Sequence, residues 1–150
     1  MRWQIESGQT SSRPMGNRHR LSANNAPRLL IAEDELLVAL IIEEMAHEIG
    51  YRISGVAHTA HMLRNELAKR NFDAVLLDVS LDAPVAFEFA DHLIAADLPF
   101  AFVTGYDYLV EPRHESVPIL QKPFTPAQLS VLLANLVGSR TSSQQVAYTA

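Results

Sequence analysis

Short apolar runs that stop on a polar residue alternate along this chain with stretches of helical period. Leu29 to Ala32 is unbroken and apolar, as in a strand covered on both faces, and runs straight into Glu33-Asp34-Glu35. From Glu35 the period changes. Val38, Ile41, Ile42, Met45 and Ile49 share one helical face, Glu43, Glu44 and Glu48 lie away from it, and Gly50 stands where helices commonly stop. Tyr51 to Ala57 reads as a second strand, interrupted at Gly55, and Thr59 or Ala60 to Arg70 as a helix that buries Leu63 and Leu67. Ala74 to Leu77 is a third strand ending on Asp78. Pro84 opens a helix over Val85 to Ala95, and Pro99 marks the next turn. Phe100 to Val103 leads into Thr104-Gly105, and Val117 to Leu120 into Gln121-Lys122-Pro123. The last helix has a start signal in Thr125, Pro126 and Gln128, a stripe of Leu129, Leu132, Leu133 and Leu136, and an expected end at Gly138.

Strands alternating with helices imply parallel β-α units wound on both faces of one sheet. The fold class expected is α/β, with five parallel strands in the flavodoxin-like order 2-1-3-4-5. In that order strands 1 and 3 are neighbours at the topological switch point. The segment after Thr104 is short and holds Pro112, so a regular fourth helix is not expected there. The domain spans residues 28–138. Residues 1–27 are polar, mildly basic through Arg2, Arg13, Arg18 and Arg20, and without hydrophobic period, so they read as a disordered tail. Residues 139–150 read as a polar C-terminal tail, and Met15 offers an alternative start.

Composition narrows the class. A chain of 150 residues with 48% hydrophobic content can bury one ordinary core. A net charge of -5 gives no electrostatic reason to expect nucleic acid as a partner. Without cysteine there are no disulfides and no thiolate metal sites. No apolar run approaches the roughly 18 residues that span a bilayer, and the N-terminus lacks a signal-peptide core. The expectation is a soluble, cytoplasmic protein without membrane partners.

Candidate chemistry lies at the strand ends. A lone Asp after a strand is more readily a loop cap than a nucleophile. Here four strand ends in succession carry polar groups, namely Glu33-Asp34, Asp78, Thr104 and Lys122. Carboxylates gathered from adjacent strands repel unless a cation sits among them. An all-oxygen set suits Mg²⁺ better than zinc or copper. Asp34 would hold the metal directly, Glu33 through a water, and the backbone carbonyl of Ser80 would complete the protein ligands. Asp78 would attack a phosphoryl group to form an acyl phosphate, while the Lys122 ammonium and Thr104 hydroxyl meet the phosphoryl oxygens.

Residues 28–138 resemble the response-regulator receiver domains of two-component signalling. The motifs are Leu29-Leu30-Ile31-Ala32-Glu33-Asp34-Glu35, Val75-Leu76-Leu77-Asp78, Thr104-Gly105 and Lys122-Pro123-Phe124. The resemblance implies a phosphoacceptor at Asp78, Mg²⁺ bound through Glu33, Asp34, Asp78 and Ser80, a phosphate-sensing Thr104 and an ion-pairing Lys122. It also implies a cis peptide before Pro123. Phe102-Val103-Thr104-Gly105-Tyr106 is similar to the Phe-Ala-Thr-Gly-Tyr run of a stand-alone alphaproteobacterial subfamily. Many receivers carry an aromatic switch where Ile119 stands here, so the switch region implied is Gly105, Tyr106 and Ile119. The partners implied are a sensor histidine kinase or phosphotransfer protein and an unidentified downstream protein. With no effector domain after Gly138, the expected output is protein-protein contact or a phosphate-sink role. Two alternatives have distinct marks. A pseudo-receiver would bind partners without phosphate, and a haloacid-dehalogenase-type phosphatase needs a second Asp where Ser80 stands. The six histidines show no metal spacing and read as surface or core residues.

Overall fold

The computed structural model describes residues 25–105 and 111–146. The readings made above for residues 1–24, 106–110 (Tyr106 included) and 147–150 fall outside the described residues. Strands β1 (Arg28–Ala32), β2 (Arg52–Ala57), β3 (Ala74–Asp78), β4 (Phe100–Thr104) and β5 (Ile119–Gln121) form one sheet in the order β2-β1-β3-β4-β5. All four pairings are parallel. Helices α1 (Leu36–Glu48) and α4 (Pro126–Val146) contribute to one apolar layer with Leu29, Ile31, Leu76 and Val103. Helices α2 (Ala60–Lys69) and α3 (Ala83–Ala95) contribute to the other, with Leu30, Val75, Leu77 and Phe102. Successive strand residues therefore feed opposite layers, as strand pleating requires. Burial of β3 and β4 along their whole length explains why both read as continuous apolar runs.

Helix starts follow their signals. Thr59 caps α2 by accepting from Met62 N–H at 3.1 Å. Before α4, Thr125 Oγ1 accepts from Gln128 N–H at 3.2 Å, and Gln128 Oε1 accepts from Thr125 N–H at 2.9 Å, a reciprocal capping box. The interruption in β2 is a register shift. Leu29 pairs with Ile53 and Leu30 with Gly55, which leaves Ser54 unpaired, its hydroxyl donating to the Leu29 carbonyl at 3.2 Å. A Cβ on Gly55 would lie 2.5 Å from the Glu66 carboxylate of α2, so this glycine permits close approach of helix to strand.

Three local expectations are corrected. Ile41 is 51% exposed, because α1 seats on the sheet through Ala39, Ile42 and Ala46, whose two alanines let the helix lie close. Strand β5 begins at Ile119 instead of Val117: Val117 N–H closes a turn on the His114 carbonyl, and Pro118 has no N–H to give a ladder. Helix α4 passes Gly138 and runs to Val146, since a glycine with ordinary helical φ weakens a helix without ending it. Between Thr104 and β5 the described residues hold only a 3₁₀ turn, Pro112–His114, in line with the irregular fourth connection expected. No helix among the described residues is long and apolar enough to cross a membrane.

Candidate functional site

Every polar strand end named from the sequence arrives at the same edge of the sheet. β1 pairs with β3 so that Ala32 lies beside Leu77, which sets Glu33 next to Asp78 across the switch point. Glu33, Asp78 and Thr104 are buried, whereas Asp34 is exposed. Lys122 Nζ donates to Glu33 Oε2 at 2.8 Å and to Asp78 Oδ2 at 3.1 Å, spanning both carboxylates. The Lys122 backbone is fixed as well. Its N–H donates to the Thr104 carbonyl at 2.8 Å, and the Lys122–Pro123 peptide is cis, as the resemblance implies.

Asp78 is held from two sides, since its Oδ1 accepts from Ser80 N–H at 2.9 Å. The Ser80 carbonyl accepts from Asp82 N–H at 2.7 Å, so one of its two lone pairs is engaged. Glu33 is fixed through its backbone: its N–H donates to the Ala57 carbonyl at 2.9 Å, and its carbonyl accepts from His58 Nδ1 at 2.9 Å. Gly105 lines the groove above the site, while Ile119 is half exposed on β5 opposite Phe102.

The acids repel, and protonation shows it. Burial first, and then the hydrogen bond shared with Asp78, push Glu33 from its ordinary 4.5 up to about 7. Burial also pushes Asp78 upward, but hydrogen bonds from Glu33 and Ser80 and the charge of Lys122 outweigh it and leave Asp78 below the usual carboxylate range. For Lys122, burial acts downward and the two acids reverse it, so the ammonium is held above its ordinary value. Asp78 is therefore the ionised member of the pair at neutral pH.

Carboxylate oxygens of Glu33, Asp34 and Glu35 lie within 4.8 Å of one another. A hard divalent cation fits this donor set, which is all oxygen, rich in negative charge and offset within the protein by one lysine. Sequence reasoning named Glu33 and Asp34 and passed over Glu35, although the acidic triplet was the signal. It also passed over His58, whose only sequence mark is being the first polar residue after β2. A groove of about 620 Å³ leads from the site along α1, lined by Asp34, Glu35, Ile41, Met45, Ser80 and Lys122 among others.

No protein-family model matches the chain. It is 28% identical over 134 residues to the Phyllosphere-induced regulator PhyR of Methylorubrum extorquens, a match covering 83% of this chain and 49% of the relative. The chain thus spans about half the length of that curated relative. The solution structure of the PhyR response regulator REC domain from Erythrobacter litoralis is similar at 28% identity. It matches over 75% of this chain and 90% of its own, with a TM-score of 0.64. The BeF3-activated conformation of SdrG from Pseudomonas melonis Fr1 is 34% identical, covering 73% of this chain and 95% of that one, with a TM-score of 0.62.

Proposed function

Since the chain belongs to the response-regulator receiver domains, we propose that Asp78 accepts a phosphoryl group from a histidine kinase or phosphotransfer protein and that a protein partner reads the change. The observation that carries this reading is the Lys122 ammonium placed between Asp78 and Glu33 at the switch point. An Asp78 oxygen attacks phosphorus, the P–N bond of the donor phosphohistidine breaks, and the electron pair leaves with the imidazole. The product is an acyl phosphate. Lys122 faces the developing phosphoryl charge, and the hydroxyl of buried Thr104 donates to a phosphoryl oxygen. Glu33 and Asp34, with Asp78 and the Ser80 carbonyl, would hold Mg²⁺, which when bound supplies charge neutralisation at the phosphoryl group. Chemistry here is positioning and electrostatics, so the chain acts as an acceptor with slow self-dephosphorylation and not as a turnover enzyme.

The test is transfer of labelled phosphate from acetyl phosphate or a cognate kinase. Wild type is expected to take up acid-stable, base-labile label, and Asp78→Asn or chelation of divalent cations is expected to abolish it. Undiminished labelling of Asp78→Asn, or transfer that survives chelation, overturns the assignment.

A further inference from the structure

His114 is fully buried although its sequence neighbours are Glu111, Pro112, Arg113 and Glu115. No apolar period draws it inward, so specific contacts must. Its ring lies parallel to Phe87 of α3, with centroids 5.6 Å apart and planes 16° apart. It meets Phe102 of β4 nearly edge-on at 5.7 Å. Its Nε2–H donates to Asp91 Oδ1 of α3 at 2.7 Å, whereas Nδ1 finds no hydrogen-bond partner among the described residues. Arg113 ties the same carboxylate to the turn, at 3.0 Å from Asp91 and 3.0 Å from Glu111. Contacts from α3 and β4 thus clip the 3₁₀ turn onto α3.

The clip bears on the proposed site through β4. Phe102 and Thr104 are two apart on one strand and so lie on the same face. Phe102 is itself wedged among Phe87, Phe100 and His114. Thr104 therefore shares a face of β4 with Phe102, which meets His114, which in turn holds Asp91. We infer that His114 is a positioning residue for Thr104, a wedge that holds β4 in the arrangement described above and opposes the inward pull of a phosphoryl group. The inference rests on the reading of Asp78 as phosphoacceptor. Its physical basis is that close-packed side chains shift between discrete arrangements and do not deform smoothly. Contacts made only in the ligand-free arrangement lower the affinity for a phosphoryl mimic, and removing them raises it.

The experiment is titration of the full chain with beryllofluoride and Mg²⁺, followed by backbone NMR. Two variants are compared with wild type. His114→Phe keeps the aromatic packing and loses the donor, and Asp91→Ala removes the acceptor from a half-exposed helical position. Each is expected to bind beryllofluoride roughly fivefold more tightly or better, the lower end of ordinary site-to-site coupling. Asp91→Asn keeps an accepting oxygen and is expected to return toward wild type. A purely structural role would lower the melting temperature and leave the binding constant alone. Unchanged or weaker binding in Asp91→Ala, with wild type binding normally, overturns the wedge. That variant decides the matter even if His114→Phe fails to fold. Failure of wild type to bind at all would instead strike the reading of Asp78.

Discussion

At the scale of single residues, the site is a buried proton ledger of two acids and one lysine. Glu33 gives it a defined pH dependence. Below about 4.5 the folded and unfolded chains both hold the Glu33 proton, and the site is neutral in its effect. Between that value and about 7 the folded chain keeps a proton that the unfolded chain has lost, so stability falls as pH rises. Asp78 acts with the opposite sign and at lower pH, because its depressed pKa adds stability that disappears only as pH falls below its ordinary 3.8. Metal-free protein is therefore expected to lose melting temperature between roughly pH 5 and pH 8. Glu33→Gln should flatten that slope and melt higher than wild type at the alkaline end. Equal slopes in calorimetry of the two proteins would contradict this. On the proposed reading, Mg²⁺ bound through Glu33 would displace the same proton, so its stabilising effect should be larger at pH 8 than at pH 6.

At the scale of elements, the two ends of α4 make contrasting predictions. Thr125 and Gln128 satisfy each other's backbone at the start, so Thr125→Ala should cost about 1 kcal/mol in denaturant unfolding. Gly138 lies inside the helix, its φ is not in the left-handed region, and nothing lies within 4 Å of where a Cβ would be. Gly138→Ala should accordingly stabilise the protein by roughly 0.5–1 kcal/mol. Were Gly138 a left-handed helix stop, the same change would destabilise it, so the sign of the shift decides between the two. α1 differs in kind. It buries a seam of small residues and leaves Leu36, Leu37, Leu40 and Ile41 outside, an apolar face that core formation does not use.

At the scale of the whole molecule, that face borders the groove leading to Asp78. If Asp78 is the phosphoacceptor proposed above, a donor domain would bring its phosphohistidine over this rim. Leu37 is 75% and Leu40 58% exposed, so an acidic residue at either position should leave the unfolding free energy within about 0.5 kcal/mol of wild type. Leu37→Asp and Leu40→Asp are expected to slow transfer from a cognate kinase at least severalfold while uptake from acetyl phosphate stays unchanged. Loss of both uptakes together would locate the effect in the acceptor site instead of the donor surface.

The sequence by itself determined the alternation of strands and helices and the strand ends that carry Glu33, Asp34, Asp78, Thr104 and Lys122, and it only suggested the order of the sheet. It could do so because those features are local: an apolar run, a change of period, a cap, a polar residue at the strand's last position. The tertiary structure alone decided which apolar stripe of α1 is buried, since Leu36 to Ile49 is apolar on more than one face and only the sheet selects among them. It decided where β5 starts, because a ladder needs a neighbour, and it carried α4 past Gly138, where the glycine's ordinary φ let the helix continue. It also decided His114. The sequence leaves that residue open between surface and core, and its burial arises from Phe87, Asp91 and Phe102, which come to it only through the packing of α3 and β4. Burial of a polar group is set by partners distant in the chain, and no local pattern records them.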